Sequence, residues 1–392
     1  MERLEFASSS RQRGIVPPLY HWDWPTREYS SQVSFTGSTV GDCFLGSTGH
    51  RKRRAISLAA ISSVAPVPRF HSGASAKVKS VGDNSGRGGR LVKVLVSDKI
   101  HEDGLKLIKE FAEVEVATGL RPEELLERIK DKDVMVVRST TKVTADVIAA
   151  GKQLKVIARA GVGLDNIDLE AARSRGIHVI NAPEAPATAV SELVFAYMLS
   201  FARHLIRADS GTRQGKWEKK ELMGTELKGK TLGIIGTGHI GREVGFRAAA
   251  FKMNLLLHDV VQNREFSEQT GGKYVSLEDL LKGSDYITLH IPLSHKTRHM
   301  IGKRELNMMK PTAVLINTSR GPIVDESALV EALREKKIGG ACLDVYTDEP
   351  LRKSPLFSLP NVILTPHIGA STVEAQREAA VIIARKIRDV IK

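Results

Sequence analysis

The stretch Thr231–Asp259, TLGIIGTGHIGREVGFRAAAFKMNLLLHD, limits the possible folds more than any other part of the chain. It opens on a short apolar run, Leu232–Ile235, the pattern of a buried strand. The run breaks into Gly236-Thr237-Gly238-His239-Ile240-Gly241. A helical stretch follows, and then a second apolar run, Asn254–His258, that ends on Asp259. Strand, glycine turn, helix, strand and acid in this order make a dinucleotide-binding unit. Gly236 permits the tight turn, Gly238 keeps side chains out of the path of a pyrophosphate, and Gly241 lets the helix pack closely on the strand. The helix N-terminus aims free N–H groups and the positive end of its dipole at the phosphates. Asp259 follows Gly241 by 18 residues, close to the spacing of about 20 for an acid that takes a ribose 2′-hydroxyl. A carboxylate there repels a 2′-phosphate, so the expected cofactor is NAD rather than NADP.

The alternation extends on both sides of this unit. Upstream, strands are expected over Leu91–Val96, Val114–Val116, Val134–Val137, Val156–Ala158 and Ile177–Ile180, with helices over Asp103–Phe111, Pro122–Lys130, Thr144–Ala150 and Leu169–Arg173. Downstream, strands are expected over Tyr286–Ile291, Ala313–Ile316, Ala341–Val345 and Val362–Leu364. Strands alternating with helices imply parallel sheets covered on both faces, with ligands beyond the strand C-termini. Pro183 and Pro186 mark a link, after which Val190, Leu193, Val194, Tyr197, Met198 and Phe201 recur at helical spacing as a core stripe. The polar segment Gly211–Lys228 reads as an arm reaching a partner subunit. Ser371 and Glu374 form a capping box. The helix behind it carries Ala379, Ile383, Ile387 and Val390 on one face and is expected to cross back to the first domain.

Residues 1–89 show neither period, are rich in Ser, Gly and Arg, and include Arg51-Lys52-Arg53-Arg54. The composition predicts a disordered transit peptide, directed first to a plastid, with mitochondrion or cytoplasm as alternatives and a nuclear signal as a weaker reading of the basic run. The formal net charge is +13, but residues 1–90 hold 13 Lys/Arg against 6 Asp/Glu, so the remainder is only mildly basic and no nucleic-acid partner is expected. No apolar run approaches the roughly 18 residues of a membrane span. Cys43 and Cys342 are too few for a disulfide framework or a metal cluster.

Three downstream strands each run into one charged or titratable residue: Arg320, Glu349 and His367. Oxidising a hydroxy acid requires a base for the hydroxyl proton, and the unperturbed histidine pKa of about 6.5 suits that task. A carboxylate beside the ring holds it and stabilises the imidazolium. Arginine can fork a carboxylate and polarise a carbonyl. Arg138 and Arg159 also stand at strand ends, where they could meet one anion.

The stretches VRSTTKVTADVI, ARAGVGLDNIDLEAA, GKWEKKELMGTELKGKTLGIIGTGHIGREV, TSRGPIVDE, LDVYTDEP and TPHIGAS are similar to the D-isomer-specific 2-hydroxyacid dehydrogenase family, from about Lys93 to the end of the chain. The resemblance implies Arg320 as the carboxylate anchor, His367 as general acid/base and Glu349 as its paired acid. It implies cofactor contacts at His239, Ile240, Asp259, Ile291, Thr318 and Asp344, with Gly236, Gly238 and Gly241 around the phosphates. It implies that Arg138 and Arg159 hold the substrate's anionic end, and that Lys219 is lent by a second subunit of a homodimer. The implied reaction is oxidation of 3-phosphoglycerate to 3-phosphohydroxypyruvate, toward serine. The alternatives are glyoxylate or hydroxypyruvate reduction, or an NAD-sensing binding protein like the corepressors that resemble the family. Pro186 stands where many phosphoglycerate-oxidising members have Asn. Ending at Lys392, the chain is expected to lack the regulatory domains that many members carry.

The expected architecture is thus α/β, with two doubly wound parallel sheets. These are a flavodoxin-like substrate domain over 90–184 and a Rossmann NAD-binding domain over 185–368. A leader over 1–89 precedes them and a returning helix over 369–392 follows. No metal is expected.

Overall fold

The computed structural model describes residues 90–391; the expected leader and its targeting reading fall outside these residues. The first sheet is built from β1 (Val92–Val96), α1 (Glu102–Lys109), β2 (Ala112–Val116), α2 (Pro122–Arg128), β3 (Val134–Val137), α3 (Ala145–Ala150), β4 (Val156–Arg159), α4 (Leu169–Ser174) and β5 (His178–Asn181). Its five strands are all parallel in the order β2-β1-β3-β4-β5, the flavodoxin-like order. The direction of winding reverses between β1 and β3, and Arg138 follows β3 at that point.

The second unit begins with α5 (Ala187–Ala202) and α6 (Leu205–Arg213) and continues through β6 (Thr231–Ile235), α7 (His239–Ala250), β7 (Asn254–His258), α8 (Arg264–Thr270) and β8 (Lys273–Tyr274). It goes on through α9 (Leu277–Gly283), β9 (Tyr286–Leu289), α10 (Lys303–Met308), β10 (Val314–Asn317), α11 (Glu326–Arg334), β11 (Gly340–Leu343), β12 (Val362–Leu364) and finally α12 (Val373–Ile391). The seven strands are parallel in the order β12-β11-β10-β9-β6-β7-β8, a Rossmann order with its switch point between β6 and β9. Helices cover both faces, so the inner strands are mostly apolar and every residue of β3, β9 and β10 is buried, Thr288 and Asn317 included.

Three features differ from the sequence expectation. The last helix starts later than the Ser371 capping box requires: the hydroxyl of Thr372 accepts the Ala375 N–H at 3.1 Å, so Thr372 is the cap. Val390 is more than a third exposed, because the helix outruns the sheet beneath it, whereas Ala379, Ile383 and Ile387 are buried. The start of the supposed arm is helical. α6 follows α5 through a left-handed His204, and only the segment after Arg213 is irregular, tied back by Arg207 to Glu218 at 2.8 Å.

α12 packs on the first sheet. Ala379, Ala380, Ile383 and Ile387 join Val94, Val96, Val134 and Ala158 in one apolar core. Its approach to α1 is so close that a methyl on Gly104 would lie 2.5 Å from Ala380. Lys386 donates to the Asn181 carbonyl at 2.9 Å, fastening the helix across the end of β5.

One partly buried titratable group lies beside the switch point. His290 follows β9, its Nε2 lies 2.9 Å from the Thr288 hydroxyl, and its Nδ1 is buried without a partner among the described residues. Burial pushes its pKa down to about 3. The unfolded imidazole titrates near about 6.5. Below that value the unfolded chain takes up a proton that the fold refuses. Stability therefore declines as pH falls from about 6.5, and the loss is complete only below about 3. We expect the thermal midpoint to fall between about pH 7 and 5, with a slope of up to about 1.4 kcal/mol per pH unit from this group. His290→Asn should remove that part of the slope; equal pH dependence in both proteins would argue against a neutral buried His290.

Candidate functional site

The glycine turn is set by contacts that leave no room for side chains. Gly236 has φ +95°, and a Cβ there would lie 2.5 Å from the His290 carbonyl oxygen. A Cβ on Gly241 would lie 1.9 Å from the Gly236 carbonyl, so the first turn of α7 packs on the turn itself more tightly than on the strand. Gly238, by contrast, faces open space and precedes the first free N–H groups of α7. His239 is exposed at the helix start, whereas Ile240 is partly buried, its side chain packed against the core.

Asp259 sits at the end of β7 and ties the turn to that strand. Its Oδ2 accepts the Thr237 N–H at 2.6 Å and the Thr237 hydroxyl at 3.1 Å, and its Oδ1 accepts the Val261 N–H at 3.1 Å. Burial opposes its charge, but these N–H groups and that of Val260 prevail and hold the carboxyl below its usual range. Tyr274 was not foreseen: its hydroxyl lies 2.9 Å from that of Thr237 and accepts the Asn263 N–H at 2.9 Å, bracing the turn from the edge strand.

The residues present fit a dinucleotide. Open space stands before the N-terminus of α7, and an ionised acid stands at the end of β7. At the end of β10 the Thr318 hydroxyl is buried without a partner among the described residues, a donor in want of an acceptor. Ile291, half-buried after β9, receives the Ser319 hydroxyl on its carbonyl.

β10, β11 and β12 are neighbours, and their C-terminal ends deliver Arg320, Glu349 and His367. At a strand spacing of about 4.8 Å, the ends of β10 and β12 stand roughly 10 Å apart. His367 Nδ1 lies 2.7 Å from Oε2 of Glu349, while the other carboxylate oxygen accepts the Tyr346 N–H at 3.1 Å. A carboxylate only accepts, so Nδ1 donates to it, and in the neutral ring that leaves the lone pair on Nε2. His367 has φ +54°, a left-handed conformation that costs a non-glycine residue on the order of 1 kcal/mol. Buried Asp344 holds it there. Its Oδ1 accepts the Thr365 hydroxyl at 2.5 Å and the Ile368 N–H at 2.8 Å, and its Oδ2 accepts the Gly369 N–H at 2.7 Å. Both oxygens of Asp344 thus serve the histidine loop, a role its assignment as a cofactor contact did not anticipate.

Arg138, Arg159 and Arg320 form a cationic cluster. Arg159 is half-buried and its Nε has no partner among the described residues. Burial first, and then the charges of Arg320 and Arg138, press its pKa down to about 10, against the pull of Asp165 and Asp98. Arg159 therefore stays charged at neutral pH. Arg138 is held through its backbone, which donates to Asp98 Oδ2 at 2.6 Å and accepts from Asn166 Nδ2 at 2.8 Å. Arg320 donates to Asp165 at 2.9 Å from Nε. Asp98, Asp165 and Asn166 were not singled out in the sequence. Lys219 stands apart, exposed in the loop after α6, with no hydrogen bond or ion pair to this cluster. Within one chain the structure brings the three arginines together and pairs His367 with Glu349, but leaves Lys219 outside.

Residues 195–369 match the family model described as D-isomer specific 2-hydroxyacid dehydrogenase, NAD binding domain. The chain is 52% identical over 303 residues to a D-3-phosphoglycerate dehydrogenase of Methanocaldococcus jannaschii, covering 77% of this chain and 58% of that protein. It is 47% identical over 301 residues to a hydroxypyruvate reductase of Thermotoga maritima, covering 75% of this chain and 97% of that one. The fold matches a D-lactate dehydrogenase of Aquifex aeolicus, complexed with NAD and lactic acid, with a TM-score of 0.69 at 30% identity. That match covers 76% of this chain and 95% of the other. The chain spans little more than half the length of the phosphoglycerate dehydrogenases that it matches.

Asp259→Ala is expected to weaken NAD binding about tenfold or more, the scale of one charge-assisted hydrogen bond, and to narrow the preference for NAD over NADP. Fluorescence titration with NADH and NADPH reads both quantities. Unchanged affinity for each would sink the ribose assignment.

Proposed function

This chain belongs to the D-isomer-specific 2-hydroxyacid dehydrogenase family, and from that premise we propose that it oxidises D-3-phosphoglycerate to 3-phosphohydroxypyruvate with NAD, a step toward serine. The observation that carries the reading is the 2.7 Å pairing of His367 Nδ1 with Glu349, beyond the ends of β12 and β11, next to β10 and Arg320. Bound NAD supplies the hydride acceptor. Nε2 of His367 takes the hydroxyl proton as the C2–H bond breaks, and Glu349 stabilises the imidazolium that forms. Arg320 anchors the substrate carboxylate and polarises the carbonyl that appears. Arg138 and Arg159 supply charge for a phosphate, and the unpartnered Nε of Arg159 is a donor ready for it.

Hydroxypyruvate or glyoxylate reduction is the second reading, and one observation favours it. Pro186 lines a cavity of about 30 Å³ together with Ile100, His101, Arg138, Gly161 and Gln376. A proline offers no side-chain donor to a larger substrate at that place.

We also propose a homodimer. Trp217 and Met223, in the loop carrying Lys219, are 83% and 80% exposed, and Leu205 and Ile206 on α6 are exposed beside them in sequence. Such a surface gains by covering. The Ser- and Arg-rich leader supports import into a plastid. Sedimentation of the active protein and import of a reporter fused to residues 1–89 test these two readings. An active monomer would remove the first, and a cytosolic reporter the second.

The main test is absorbance at 340 nm with 3-phosphoglycerate, glycerate, lactate and their keto acids. Phosphoglycerate should give the highest kcat/KM; a hydroxypyruvate preference would favour the second reading, and silence toward every acid would leave a nucleotide binder. His367→Ala should lower kcat by about 10²–10⁴ at unchanged NADH affinity. Retained turnover would take His367 out of proton transfer.

A further inference from the structure

We propose that Asp165 is a positioning residue for this reaction: it holds one edge of the Arg320 guanidinium from across the cleft, so that the opposite edge is presented to the substrate carboxylate. The inference rests on Arg320 being the anchor.

The geometry comes from counting donors. A guanidinium has five N–H groups in a fixed plane. Nε of Arg320 donates to Oδ2 of Asp165 at 2.9 Å, and Nη2 stands 2.8 Å from the same oxygen as an ion pair. Nη1 donates to the Ser319 carbonyl at 2.7 Å. Two donors are thereby committed, on the Nε edge and on Nη1. N–H groups remain on both Nη1 and Nη2, the pair from which a two-pronged grip on a carboxylate is made. An unheld arginine would have to give up rotamer freedom at the moment of binding. Asp165 has taken that freedom away beforehand.

The partner comes from the other sheet. Asp165 lies in the loop between β4 and α4, 155 residues before Arg320. The same loop makes room for the clamp: a Cβ on Gly163 would lie 1.7 Å from Nη2 of Arg320, so the guanidinium rests against bare backbone. Burial works against the Asp165 charge, but the hydrogen bond from Arg320 and the charges of Arg320 and Arg159 hold its carboxyl below the usual range. Asp165 is therefore an anion at neutral pH and offsets part of the repulsion between Arg159 and Arg320. Because it bridges the two sheets, the anchor is correctly aimed only when the domains face each other, which couples closure to substrate grip.

A different role would have the opposite sign. If Asp165 merely occupied the anchor in place of substrate, removing it would tighten binding. Its use of the Nε edge through a single oxygen, leaving the Nη1–Nη2 pair, favours positioning.

The experiment compares the full-length wild type with Asp165→Asn and Asp165→Glu, using whichever acid the wild type turns over and oxalate as an unreactive probe of the carboxylate site. For Asp165→Asn, KM for the acid and Ki for oxalate should both rise about tenfold or more, the scale of a lost charge-assisted pair. NADH affinity and thermal midpoint should stay at wild-type values, and Asp165→Glu should recover part of the loss. Unchanged or lowered KM and Ki in Asp165→Asn would overturn the proposal. So would losses that simply track a lowered thermal midpoint in both variants. A wild type silent toward every acid would instead overturn the dehydrogenase reading, a result distinct from an active wild type matched by its variants.

Discussion

Each functional loop in this molecule is held by a short acid or amide at or just beyond the carboxyl end of a parallel strand. Where strands stop, the ladder stops, and the next few N–H groups lose their partners. Asp98 takes the N–H groups of Arg138 and Thr141. Asp259 takes those of Thr237 and Val261. Asn317 takes the Ser319 N–H and gives its own to the Arg320 carbonyl. Asp344 takes those of Ile368 and Gly369. These four side chains convert edges that would otherwise be satisfied by water into loops of defined shape. The arginines, the glycine turn and His367 owe their places to them. A carboxylate in this role favours its charged form because it accepts from fixed N–H dipoles, so the same contact that shapes a loop keeps the acid ionised.

Much of this was legible in the chain. Short apolar runs marked every strand but the two-residue β8, because strands buried on both faces have little polar alternation to obscure them. The glycine turn was legible because only glycine satisfies the approaches at Gly236 and Gly241. Arg320, Glu349 and His367 were legible because strand ends in such sheets converge. What was not legible lies in contacts without sequence proximity. Asp165 meets Arg320 across 155 residues, and Tyr274 braces Thr237 from a two-residue strand that has no period to detect. The true cap, Thr372, stands one residue after the expected Ser371. Both residues satisfy the capping preference, and only the position of the helix over the first sheet separates them.

Asp344 illustrates a further limit. A motif match can say that an acid belongs near the cofactor without saying what its oxygens do. Here both oxygens are committed to residues 365–369, and that commitment holds His367 in a left-handed conformation. The cost of that conformation is about the size of one good hydrogen bond, and Asp344 supplies three. The histidine is thus aimed by its own loop, and Glu349 then decides which ring nitrogen carries the proton.

The charge balance of the cleft bears on which acid it takes. Three guanidiniums face two nearby carboxylates, Asp165 and Asp98, and the strain of the excess is visible at Arg159, whose affinity for its own proton is lowered by burial and by both neighbouring arginines. An anion entering the cleft relieves that strain, and a dianionic phosphate relieves more of it than a second neutral hydroxyl. Long-range charge therefore supports the proposal of a phosphorylated acid. Shape at Pro186 pulls the other way, because a rigid ring without a donor narrows the space beside Arg138. Electrostatics act over the whole cleft and are screened only where water remains, whereas a missing hydrogen bond at one position costs about 1 kcal/mol. On these magnitudes the three charges outweigh the one proline, and this balance is why the phosphorylated acid stands first in the proposed function.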